Sequence, residues 1–211
     1  MPRRPYAVAF VIAVFLLPAA AHGDGAARAG KSPPTAERVG DDDPAEAPVP
    51  ASSMKLTSPA FEDGQSMPMR LTCEGEDISP PLKWSGVPMG TRSLALVVDD
   101  PDAPDPAAPE RTWVHWVVYD LEPKTRELDP GASRGGLPKG SRQGSNDWKK
   151  AAYGGPCPPV GRHRYFHKLY ALDTTIGDKG ALTKAQLEEE MKDHILGSAQ
   201  LVGTYEKAGK E

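Results

Sequence analysis

Three short stretches hold most of the residues able to do chemistry: Asp99-Asp100-Pro101-Asp102-Ala103-Pro104, Trp113-Val114-His115-Trp116 and Gly161-Arg162-His163-Arg164-Tyr165. Each opens or closes a strand-like apolar run, so carboxylates, two imidazoles and an arginine can meet at one end of a sheet. Pro101 and Pro104 fix φ at two positions and push Asp100 and Ala103 away from helical geometry, which holds the carboxylates in a stiff extended turn. Two imidazole N–H groups suit the oxygens of a phosphate monoester or phosphodiester, with Asp100 keeping one ring in its donating tautomer. Asp102 can accept from an ammonium group or from loop amides. Such carboxylates repel an anion unless hydrogen bonds engage them, so the expected affinity is modest.

Each part also has a plainer reading. An Asp-Pro-Asp segment serves as an ordinary Asx turn, and a lone histidine at a strand start is usually solvated or satisfied. The Pro- and Gly-rich loop Gly155-Pro156-Cys157-Pro158-Pro159-Val160-Gly161 can be mere linkage, but here it delivers His163 to the mouth of a strand. It is the combination that points to a site. A divalent metal on Asp100, His115 and His163, hydrolysing phosphate esters, is the first rival; the chain lacks tight spacing such as His-x-x-x-His, and the reading calls for no metal, no cofactor and no catalysis. A nucleophilic Cys157–His163 pair is weaker, because prolines flank the cysteine. The net charge of −4 and scattered lysines leave no basic stripe for nucleic acid.

Several elements must position these residues. Ser93 to Asp99 and Val114 to Leu121 are short, apolar and β-branched, and read as central strands. Arg164 to Leu172 is a third strand and Leu201 to Tyr205 a closing one, while Met69 to Thr72 and Leu82 to Trp84 suit sheet edges. His167 stands where the strand pattern wants an apolar residue, and with Lys168 beside it the plain account is an exposed sheet face. Thr183-Lys184-Ala185-Gln186 is a capping-box pattern that starts a helix, with Leu182, Leu187, Met191 and Ile195 on its apolar face and Gly197 as its stop. The insert Asp105 to Arg111 and the segment Gly131 to Trp148 read as rim loops.

Arg3 and Arg4 precede an apolar run from Ala7 to Leu17, and Pro18-Ala19-Ala20-Ala21 supplies small residues, so residues 1–21 read as a signal peptide and the protein as exported, periplasmic or extracellular. The run is shorter than the roughly 20 residues a bilayer-spanning helix needs, so no transmembrane anchor is expected after cleavage. Residues 22–53 are Ala, Gly, Pro and charge and read as a disordered tether, residues 54–207 as one domain, and residues 208–211 as a tail. Cys73 and Cys157 are the only cysteines; an even count in an exported chain favours a disulfide between them.

Together with Ile78-Ser79-Pro80-Pro81-Leu82-Lys83-Trp84 and His194-Ile195-Leu196, these motifs resemble the phosphatidylethanolamine-binding protein family, most closely its bacterial Raf-kinase-inhibitor-like (YbhB/YbcL-type) branch, over Met54 to Tyr205. The resemblance implies a mostly β fold, a large antiparallel sheet packed on a smaller one with peripheral helices, and a function of binding more than catalysis. It puts an anion pocket on Asp100, His115 and His163, with Asp102, Pro104, Trp113, Pro158 and Tyr165 as lining. Arg164 is a further candidate ligand, although strand alternation can turn it away into an ion pair. The implied ligand is phosphate, phosphoethanolamine or a phospholipid head group, and binding is expected to strengthen as pH falls through about 6.5, where free histidine becomes cationic. The resemblance also permits an interaction module that inhibits a protease or other envelope partner through its rim loops.

Overall fold

The apolar run Leu94-Ala95-Leu96-Val97-Val98 is buried on both sides, which places it between two cores rather than at a surface. A computed structural model of the protein describes residues 54–208. Residues 1–21, read above as a signal peptide, residues 22–53, read as a tether, and residues 209–211 lie outside the described residues. In chain order the elements are β1 (Lys55–Thr57), β2 (Leu82–Ser85), β3 (Ser93–Ala103), β4 (Arg111–Leu121), β5 (Glu127–Leu128), β6 (Arg142–Gln143), β7 (His163–Leu172), α1 (Lys184–Met191) and β8 (Ile195–Tyr205).

Two antiparallel sheets result, one of order β1-β2-β5 and one of order β6-β4-β3-β7-β8. Leu94, Leu96 and Val98 of β3 face the small sheet, where Leu56, Leu82, Trp84 and Leu128 complete the main core. Ala95 and Val97 face the other way, onto a second core with Ile176, Leu182, Leu187 and Met191. The alternation therefore yields three layers: small sheet, large sheet and helix.

The two β3 carboxylates continue that alternation. Asp99, fully buried on the helix side, receives Lys168 at 2.8 Å and Lys184 at 2.6 Å. Asp100 continues the opposite face, toward the end of the main core. Between Val98↔Trp116 and Asp99↔Val114 the register slips by one residue, leaving His115 as the extra residue of a β-bulge.

Four expectations are corrected. Met69–Leu71 is a single 3₁₀ turn rather than an edge strand, and Leu82–Ser85 is the middle strand of the small sheet. The helix starts as expected, with Thr183 and Gln186 forming the capping box, but ends at Met191. Asp193 has a φ of 64°, which turns the chain out of the helix, so Ile195 begins β8, half exposed, and Gly197 lies within that strand. His167 is fully buried: it shares the inward face of β7 with Tyr165 and Leu169, packed against Phe61.

Candidate functional site

The ends of β3, β4 and β7 enclose a cavity of about 300 Å³ lined by Asp100, Ala103, Pro104, Arg111, Trp113, His115, Trp148, Cys157, Pro159, His163 and Tyr165. The bulge explains the two faces of β4. Trp113 and His115 are two apart and share the cavity side, and the extra residue then lets the next residue, Trp116, turn into the main core as well.

His115 is held at one nitrogen. Its Nδ1 donates to the Gly154 carbonyl at 2.6 Å, while the Gly154 N–H donates to the His115 carbonyl at 3.0 Å. Nε2 has no protein partner among the described residues. The ring lies edge-to-face against Trp148 and Tyr165, with centroids 5.1 Å away in each case. Burial pushes its pKa below the ordinary histidine value, against the opposing pull of the Gly154 carbonyl and of Asp100, Asp99 and Asp147. The expected pH window for a charged His115 therefore moves below about 6.5.

His163 is fixed at both nitrogens. Nδ1 meets Asp100 Oδ2 at 2.7 Å and Nε2 meets the Val160 carbonyl at 3.0 Å. The Val160 carbonyl accepts the Nε2 proton, and one proton lies between Nδ1 and the buried Asp100 carboxyl, so the pair as a whole carries no net charge. Asp100 Oδ1 also accepts the Asp102 N–H at 2.8 Å. The sequence reading gave the ligand two imidazole donors; in this geometry His163 orients and neutralises Asp100, and His115 alone has a free nitrogen.

Asp102 and Arg164 do not line the cavity. Arg164 donates to Asp102 through its backbone N–H at 2.9 Å, Nε at 3.0 Å and an NH2 nitrogen at 2.7 Å. Those bonds hold the Asp102 carboxyl below the usual carboxylate range. The alternation of β7 is the reason, since His163 and Tyr165 point inward and Arg164 outward. Pro158 is buried and does not line the cavity, and its neighbour Pro159 forms the wall instead.

Arg111, Trp148 and Cys157 were not singled out as lining. Arg111 lies over the Trp113 ring at 4.4 Å, a cation on an aromatic face at the mouth of the cavity. Trp148 reaches the site because its loop is sewn to β4: Asp147 Oδ2 accepts the Val114 N–H at 2.8 Å. Cys157 is bonded to Cys73, with Cα atoms 5.5 Å apart, so the wall loop is covalently tied to the segment after the 3₁₀ turn. Only the rim position of Arg111 and Trp148 hinted at a role, as both end segments read as rim loops.

Two further polar atoms belong to lining residues and have no partner: Tyr165 Oη and Trp113 Nε1 are both buried without a hydrogen bond. Burial pushes the Tyr165 hydroxyl pKa up, so it stays a neutral donor. Among the described residues no three His, Cys, Asp or Glu side chains are grouped as a metal ion would require. No helix among them is long and apolar enough to cross a membrane.

A family model described as phosphatidylethanolamine-binding protein matches residues 57–206. A UPF0098 protein of Methanothermobacter thermautotrophicus is 47% identical over 157 residues, covering 73% of this chain and 99% of the relative. The crystal structure of a phosphatidylethanolamine-binding protein homolog from Chlamydia trachomatis is 42% identical, with a TM-score of 0.68 over 75% of this chain and 100% of that one. YbcL of E. coli, described as a member of the mammalian PEBP family, is 32% identical, with a TM-score of 0.67 over 74% of this chain and 99% of its own. On the family match over residues 57–206 and the identity to these relatives, the chain belongs to the phosphatidylethanolamine-binding protein family.

Proposed function

We propose that the cavity binds a small anion carrying a phosphate group, free or on a head group, and that the protein does so after export. The observation that carries this reading is the state of His115: one nitrogen fixed by Gly154, the other facing a small cavity with no protein partner. Around it the charges favour an anion, since Asp100 is neutralised by His163 and Arg111 stands at the mouth. A volume of about 300 Å³ suits a head group and leaves no room for acyl chains. The Cys73–Cys157 disulfide suits an oxidising compartment, in keeping with the export signal. Any regulatory or inhibitory effect on an envelope protein is exerted in this reading through the exposed mouth, where Arg111 and Trp148 meet solvent.

The test is calorimetric titration of the protein with inorganic phosphate and with O-phosphorylethanolamine. Saturable binding is expected at both pH 5.5 and pH 7, stronger at the lower value, with a loss of at least about tenfold in His115→Ala because a buried hydrogen bond to a charged group disappears. No saturable heat at millimolar concentrations of either compound overturns the reading.

A further inference from the structure

We propose that the cavity selects anions that bring a proton of their own, phosphate and phosphate monoesters bearing a P–OH group, over sulfate and phosphodiesters. The inference rests on the anion-binding reading above and names its ligand class.

It starts from the bond that fixes His115. A carbonyl oxygen only accepts, so the 2.6 Å contact with Gly154 assigns the proton of the neutral ring to Nδ1 and leaves that ring a lone pair at Nε2. The carbonyl cannot turn away, because the Gly155 N–H of the same planar peptide unit is bonded to Asp77 Oδ1 at 2.6 Å. Burial further favours the neutral ring.

No charged neighbour changes that assignment. From β3, Asp100 is engaged with His163 and Asp99 with Lys168 and Lys184. From β7, His163 has both nitrogens committed and Tyr165 offers a neutral hydroxyl. From the rim segment, Asp147 accepts the Val114 N–H, and on β4 itself Arg111 is stacked on Trp113. None of these bonds reaches Nε2.

An anion oxygen and a lone pair repel unless a proton sits between them. The complex therefore holds one proton more than the neutral ring plus a fully ionised anion, whether it resides on the ligand or on Nε2. Phosphate monoesters have a second pKa near about 6, so near neutral pH a share of them already carries that proton. Sulfate and phosphodiesters carry none and must draw it from solvent, at a cost of tenfold in affinity for each pH unit above the ring's own pKa. Trp113 Nε1 and Tyr165 Oη, buried and unpartnered beside the cavity, are available to the remaining oxygens.

The experiment is calorimetric titration with inorganic phosphate, O-phosphorylethanolamine, sulfate and glycerophosphoethanolamine, each in two buffers of different ionisation heat, so that protons taken up on binding are counted. At pH 5.5 the two proton-bearing ligands are expected to bind with uptake of no more than about a quarter of a proton, and sulfate and the diester with clearly more. At pH 7 the first pair should bind several-fold more tightly than the second. In His115→Gln, whose amide donates without titrating, sulfate should bind without proton uptake and the preference should shrink. Equal affinities at pH 7 and no uptake with sulfate at pH 5.5 in the unaltered protein overturn the inference while leaving anion binding intact; absence of binding by all four overturns the broader reading as well. The proton count on the unaltered protein decides the matter even if the variant does not fold.

Discussion

His167 sits inside the main core with neither ring nitrogen hydrogen-bonded, so the fold favours its neutral form. The carbonyls of Leu201 and Tyr165 are close enough to favour a proton, but neither makes a bond of acceptable geometry, and burial pushes the pKa down to about 4. Above about pH 6.5 both folded and unfolded chains hold a neutral ring and this residue adds no pH dependence; below that the unfolded chain takes a proton that the folded one refuses, and stability falls until pH reaches about 4. The total is about 3 kcal/mol, and His115, shifted in the same direction by burial, adds to it. In chemical denaturation, His167→Leu is expected to be near neutral at pH 7 and to gain about 2 kcal/mol on the unaltered protein at pH 4.5; parallel stability–pH curves would sink the assignment. Residue identity made Asp100, His115 and His163 legible from the sequence, because acids and imidazoles at strand ends carry a recognisable chemistry. It did not show that His163 has both nitrogens engaged, because the Val160 carbonyl that engages the second belongs to the path of a loop. His167 was misread for a related reason: a polar residue beside a lysine suggests solvent, and only the register with Leu201 puts it inside.

At the level of elements, the capping box and the ends of the long apolar runs were readable, since they depend on neighbours in sequence. The bulge at His115 was not, because one extra residue in β4 is defined only against the pairing of β3. The wall loop was likewise illegible beyond its stiffness. Its position comes from distant partners: Tyr153 Oη on the Leu71 carbonyl at 3.0 Å, and the Gly155 N–H on Asp77 Oδ1 at 2.6 Å. Gly154 shows how tightly that loop is set, for a Cβ there would lie 2.6 Å from the Trp148 ring. Gly154→Ala is therefore expected to displace the indole, weaken phosphate binding in titration and lower stability by about 1–3 kcal/mol. Unchanged affinity together with unchanged tryptophan fluorescence would show that Trp148 does not shape the cavity.

For the whole molecule, the disulfide closes a separation of 84 residues between the segment after the 3₁₀ turn and the wall loop. On the chain-entropy account this stabilises by about 4 kcal/mol, so reduction should lower the Tm by on the order of 10 °C in calorimetry with and without reductant. An unchanged Tm would mean that the non-covalent contacts hold the loop alone. The layered β architecture was legible because strand-length apolar runs and a single capped helix leave few ways to cover a sheet; the roles of the small strands β5 and β6, two residues each, were not, since so short a segment carries no pattern. One consequence of the paired carboxylates on β3 concerns how the chain finds this arrangement at all. Asp99 and Asp100 are adjacent, both buried, and answered by different partners on opposite faces: lysines on the helix side, the His163 ring on the other. A slip of β3 by one residue would turn each carboxylate toward the wrong face and leave Lys168, Lys184 and His163 without their acid. The adjacent acids therefore act as a proofreading device for strand alignment during folding, rejecting a misthreaded sheet that hydrophobic residues alone, apolar on both faces of β3, would tolerate.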